Sequence, residues 1–173
     1  RAALQQEVAQ ARARLGDKRR AIAHYRAALA MEDAGLSLKG LEQLANLEIR
    51  YGAKLLEARE DKKKPKAKGS KKDQAPKSVS THQTGADYMK QGLARLKLLI
   101  EIGPTVERLS LVGSHWKCLA QAHHARGNFK GTEVDLVEMQ KAYWCAADHA
   151  HQHNGEWDYY PLFNALDADF LIA

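Results

Sequence analysis

Three histidines near the end of the chain have the type and spacing that could bind a metal ion. They lie in "DHAHQHNGEWD", at positions His149, His151 and His153. On a helix His149 and His153 share one face, and this spacing can bind zinc once Asp148 or the His123–His124 pair supplies a further ligand. The alternative is a polar helix end, where histidine suits the negative end of the helix dipole. We expect the polar helix end and no cofactor, and we keep His149 and His153 as the metal candidates.

Two cysteines, Cys118 and Cys145, are the candidate nucleophiles. Neither belongs to a CxxC motif or stands in a pattern typical of a catalytic Cys/His dyad. They fall on two helices that we expect to pair, where they either approach each other or are two small buried residues. We expect two small buried residues, and we therefore expect that this part of the protein is not an enzyme. So few cysteines are typical of a reducing compartment, and we expect a cytoplasmic protein.

Aromatic side chains cluster in the C-terminal half and could line a ligand pocket. At helical spacing, however, aromatic residues more often belong to the core, and we expect these to be core residues. The cluster consists of Trp116, Tyr143, Trp144, Trp157, Tyr159 and Tyr160.

A lysine-rich stretch could bind nucleic acid. Residues 61–77 hold eight lysines and two aspartates, which accounts for the whole net charge of +6 and leaves a neutral remainder of 19 basic and 19 acidic residues. The stretch lacks the arginines that grip phosphates bidentately and the aromatics that stack on bases. We expect a flexible, disordered insertion over 61–85 and no specific nucleic acid partner. A nucleic-acid-associated adaptor working through this insertion is the alternative.

Outside the insertion, the apolar residues recur at helical spacing. No segment alternates between apolar and polar residues for long enough to predict a strand. Gly16-Asp17, Gly127-Asn128 and Asn154-Gly155 are typical helix breaks. No apolar run reaches the roughly 20 residues of a membrane helix. The pattern predicts an all-α protein with seven helices, at about 2–15, 18–32, 36–60, 86–102, 105–126 and 130–152, with the last in "DYYPLFNALDADFL".

Seven helices joined by short turns suggest helical hairpins stacked as an α-solenoid. The tetratricopeptide (TPR) repeat has a period of about 34 residues with small and large residues at fixed spacings. Val112, Gly113 and Trp116 match its first-helix pattern, while Ala21 and Tyr25 match its second. We therefore expect residues 1–60 to hold hairpin 1 and the first helix of hairpin 2. Residues 86–173 would hold its second helix, a long hairpin 3 and the seventh helix.

Three phrases carry a more specific resemblance: "SLKGLEQLANLEIRYG", "ERLSLVGSHWKCLAQA" and "YYPLFNAL". Together they resemble the long-helix TPR region of bacterial proteins that often carry a CHAT caspase-like protease or another effector domain. The resemblance implies a cytoplasmic scaffold or sensor for protein–protein interaction, with any effector outside these residues. It also implies a concave groove that binds a peptide or partner helix. Template groove positions correspond to Gln6, Gln10, Arg14, Glu42, Asn46, Arg50, Ser110, Ser114 and Lys117, a set of mixed charge.

The seventh helix ends in the apolar sequence Phe170-Leu171-Ile172-Ala173, whereas solenoid ends normally carry a polar cap. The chain also begins without a methionine, so we expect a fragment of a larger protein. An apolar end predicts that the native chain continues or that this end docks on a partner or a second copy. We expect the fragment to self-associate through this helix.

Overall fold

The computed structural model describes residues 1–31, 35–58 and 83–173, and in these ranges all regular structure is helical. The all-α prediction is confirmed, and the helix ends lie within a few residues of the expected ones. The described helices are α1 (Ala2–Arg14), α2 (Lys18–Leu29), α3 (Leu38–Ala58), α4 (Gly85–Ile102), α5 (Val106–Ala125), α6 (Phe129–Asn154) and α7 (Tyr159–Ile172).

The helix boundaries follow from local capping chemistry. Asp17 accepts a hydrogen bond from the Arg20 N–H at 3.2 Å and so caps α2. Thr84 and Asp87 form a reciprocal capping box that starts α4 at Gly85, so residues 83–85 belong to this helix start rather than to the insertion. The rest of the predicted insertion lies outside the described residues.

The helices pack in chain order. α1 packs on α2, α3 on α4, and α5 on α6, while α3 also contacts α2 and α5 and so joins successive pairs. α7 packs mainly on α6 and touches α5. This arrangement is compatible with an α-solenoid of three hairpins and a further helix. No helix within the described ranges is both long and apolar enough to cross a bilayer.

Small residues allow the paired helices to approach closely. A Cβ atom at Gly92 would lie 2.7 Å from the Ala45 carbonyl oxygen, so α4 crosses α3 at a distance that only glycine permits. A Cβ atom at Gly113 would lie 2.7 Å from the ring of Tyr143, which is fully buried between α5 and α6. Gly113, a small residue of the predicted first-helix pattern, therefore packs against the large Tyr143 side chain.

Buried ion pairs join neighbouring helices, both within a helix pair and between pairs. The fully buried Glu48 carboxylate of α3 accepts from Arg26 of α2 at 2.7 and 2.9 Å and from Arg95 of α4 at 3.0 Å. Glu42 of α3 accepts from Arg108 Nε of α5 at 2.7 Å, and Arg108 also donates to two carbonyl groups at the end of α4. Because buried charges are costly unless they are paired, these contacts specify how neighbouring helices align.

Candidate functional site

A polar concavity lies between α3 and α5 and is closed by α7. Two adjoining cavities of about 470 and 230 Å³ share Arg50, Leu111, Ser114 and Tyr160 in their walls. We call this surface the α3–α5 groove. Its polar lining residues are Asn46, Arg50, Ser110, Ser114, Lys117, Tyr143, Asp158 and Tyr160, together with Glu107 and Gln121.

Five of the predicted groove positions line it: Asn46, Arg50, Ser110, Ser114 and Lys117. They meet because α3 and α5 pack side by side as first helices of successive pairs. Asn46 and Arg50 lie one turn apart on α3, and Ser110, Ser114 and Lys117 occupy successive turns of α5. Ser110 is buried, and its hydroxyl makes no hydrogen bond to any of the described residues.

The remaining predicted positions lie elsewhere. Glu42 is buried against Arg108, because the N-terminal part of α3 faces the start of α5. Gln6 accepts a hydrogen bond from the Ser37 hydroxyl at 3.1 Å, in the connection before α3. Gln6, Gln10 and Arg14 of α1 line neither cavity of the α3–α5 groove.

Two tyrosines that sequence reasoning assigned to the core supply hydroxyl groups to the groove. Ser114 Oγ lies 3.0 Å from the Tyr143 hydroxyl and 3.2 Å from that of Tyr160. Burial raises the pKa of Tyr143, so its hydroxyl stays protonated at neutral pH. Tyr160 is more than half exposed and packs edge-on against Tyr143, with ring centroids 6.0 Å apart. The sequence spacing placed both tyrosines in the aromatic cluster, but it could not show that their hydroxyl groups point into the groove.

The two cavities of the groove differ in charge. Arg50 is exposed, and the half-buried Lys117 donates to Asn164 Oδ1 of α7 at 2.7 Å. Glu107 and Asp158 lie in the wall of the larger cavity, and Lys39 bridges to Glu107 at 2.7 Å. Arg50 lines both cavities. The smaller, inner cavity adds Lys117 and has no carboxylate among the described residues of its wall, whereas the larger, outer cavity adds Glu107 and Asp158. This suits a ligand with a negatively charged group at one point and polar or basic groups further along.

The two cysteines are unpaired, and the expectation of two buried residues is wrong for Cys145. Cys145 is exposed on α6, whereas Cys118 is half-buried and lines the inner cavity of the groove. Burial raises the pKa of the Cys118 thiol, which disfavours the reactive thiolate.

The expectation of an aromatic core is correct for Tyr143 and wrong for the end of the chain. Trp116 and Trp144 pack at the edge of the core around Met139, but Trp157, Tyr159 and Tyr160 are exposed. The helix that carries the two tyrosines covers the core instead with Pro161, Asn164, Ala165 and Ala168.

The histidines lie at the end of α6. The rings of His149 and His153 are 4.0 Å apart, and His153 Nδ1 lies 2.9 Å from the His149 carbonyl oxygen, to which it donates. His151 stacks on Trp157. Across residues 1–31, 35–58 and 83–173, no group of three or more His, Cys, Asp and Glu side chains could hold a metal ion.

His115 of α5 is a buried titratable group that lines neither cavity of the groove. Its Nδ1 atom has no hydrogen-bond partner among the described residues. Burial, aided by the charge of Lys97, lowers the pKa of His115 to about 4. The imidazole is therefore neutral at physiological pH and acts as part of the packing.

A scan against protein-family models and searches of curated proteins and of solved structures found no match to this chain. The resemblance to TPR regions therefore rests on the sequence pattern, and the helix packing is compatible with it.

Proposed function

We propose that the chain is a protein–protein interaction module, which binds a peptide or a partner helix in the α3–α5 groove. The observation that carries this proposal is the convergence of Asn46, Arg50, Ser114 and Lys117, from two helices, on one concave surface. A polar concavity between two helices suits an extended or helical peptide. Arg50 and Lys117 favour a peptide that places a carboxylate in the inner cavity.

We further propose that the module is a TPR-type scaffold of a bacterial cytoplasmic protein, without catalysis of its own. In this view it is joined to an effector, such as a CHAT domain, elsewhere on a longer chain. The raised pKa of Cys118 is consistent with a binding role for the groove, because a protonated thiol is a poor nucleophile.

A peptide-binding assay with one charge reversal tests the proposal. The probes are short acidic fluorescent peptides and counterparts in which each Asp and Glu is replaced by Asn and Gln. Arg50→Glu should weaken binding of the acidic peptides at least about tenfold, because it places a second negative charge beside the ligand carboxylate. Lys54→Glu is the matched control, since Lys54 is exposed one turn along α3 and lines neither cavity.

If Arg50→Glu and Lys54→Glu lose the same amount of peptide affinity, the effect comes from net charge alone, and peptide binding in the α3–α5 groove is contradicted. Failure of every acidic peptide to bind, together with binding of nucleic acid at physiological salt, would favour the adaptor alternative through the lysine-rich insertion.

A further inference from the structure

The outer face of α7 is an exposed apolar stripe with the spacing of a helix–helix contact. Tyr159, Phe163, Leu166 and Phe170 follow one another at intervals of four, three and four residues, and Phe170 is 84% exposed. This is the spacing of heptad seams, in which one helix packs along another. The opposite face of α7 is occupied by its contacts with α6. Phe170 also borders a cavity of about 500 Å³ between α7, α5 and α6. The stripe therefore presents an apolar surface on which one further helix can pack.

α1 carries a stripe with the same spacing. Leu4, Val8, Ala11 and Leu15 also follow at intervals of four, three and four, with Leu4 63% and Leu15 79% exposed. Ala11 is exposed and Val8 is half-buried. These side chains are smaller than those of α7, so large residues on one helix can fit between small residues on the other.

The two stripes lie in regions of opposite charge. Residues 1–31 hold seven basic and two acidic side chains, a net charge of +5, and residues 129–173 hold two basic and eight acidic ones, a net charge of −6. Arg12 and Arg14 stand beside the α1 stripe together with one acid, Glu7, while Asp158 and Asp167 stand at the α7 stripe. Since packing follows chain order from α1 to α7, these regions belong to opposite ends of the helix array.

We propose that α7 of one molecule docks on α1 of a second copy, in a head-to-tail contact. Charge complementarity selects this occupant, because a basic end meets an acidic end. Two α7 helices facing each other would instead bring Asp158 and Asp167 close to the same acids, and α7 has no lysine or arginine to compensate. A head-to-tail contact leaves one free face at each end, so it builds rings or open chains.

The assembly state of the 173-residue chain tests this contact. Sedimentation velocity over a range of protein concentrations should show a mass that rises with concentration and falls when salt is added. Each of two double variants, Phe163→Gln/Phe170→Gln on α7 and Leu4→Gln/Leu15→Gln on α1, should abolish the larger species. Leu98→Gln/Ile102→Gln is the matched control on α4, where both side chains are exposed, and it should assemble like the original chain.

Mixing the two double variants is the decisive step. Each retains the face that the other lacks, so the mixture should form a one-to-one complex that neither variant forms alone. The proposal is overturned if the original chain stays monomeric, if only the α7 variant dissociates, or if the mixture fails to combine. If a double variant loses its helical circular dichroism, the single substitution at its most exposed position, Phe170→Gln or Leu15→Gln, replaces it.

Discussion

Replacing Glu48 with glutamine should cause a large loss of stability, because this buried carboxylate pairs with two guanidinium groups. Glu48 is fully buried, and it holds Arg26 of α2 and Arg95 of α4 through its two oxygens. Removing one member of a buried ion pair typically costs about 3–5 kcal/mol. The Arg26 and Arg95 side chains are 30% and 22% exposed and can turn partly toward water, so we expect a loss of about 3 kcal/mol, at the lower end of this range.

The loss can be measured by urea and thermal unfolding, followed by far-UV circular dichroism. At about 2–4 °C for each kcal/mol, Glu48→Gln should lower Tm by about 6–12 °C. Glu57→Gln is the matched control, since Glu57 is exposed on the same helix and should change Tm little. In the Glu48→Gln background, Arg26→Gln should cost less than in the original chain. A loss below about 1 kcal/mol, or strict additivity of the two changes, would refute the view that this network stabilises the contacts among α2, α3 and α4.

Three further predictions concern the packing and the insertion. Gly113→Ala should destabilise the fold by about 1–3 kcal/mol in urea unfolding, because the added methyl group would overlap the Tyr143 ring. Gly103→Ala is the control and should be nearly neutral, since its Cβ would meet only the Arg108 guanidinium at 3.8 Å. The free energy of unfolding should fall by up to about 3 kcal/mol as pH falls from about 6.5 toward 4, because His115 binds a proton in the unfolded state but stays neutral in the folded core. His115→Leu should flatten this part of the stability–pH curve, and an unchanged slope would contradict the assignment. Replacing residues 62–82, which lie outside the described residues, with a short Gly/Ser loop should leave Tm within a few degrees, and a loss of cooperative unfolding would show that the insertion packs.

The helices and their breaks could be predicted because they depend on neighbouring residues. Gly16, Gly127 and Gly155 adopt positive φ at the helix ends where the sequence predicted breaks. Asp17 and Asn128 cap the helices that follow, with hydrogen bonds that reach only three residues along the chain. Periodicity and capping are local properties, so the sequence by itself determined the element order and the all-helical class.

The site needed the tertiary structure because periodicity identifies a stripe without showing what covers it. Glu42 and Arg50 both lay on predicted groove positions of α3, yet Glu42 is buried by Arg108 and Arg50 is exposed in the groove. Both Tyr143 and Tyr160 were predicted to lie in the core, but only Tyr143 is buried, because α7 packs on α6 through its small residues. How far each helix is rotated about its own axis depends on packing across many residues, and this rotation decides which polar groups meet in the α3–α5 groove.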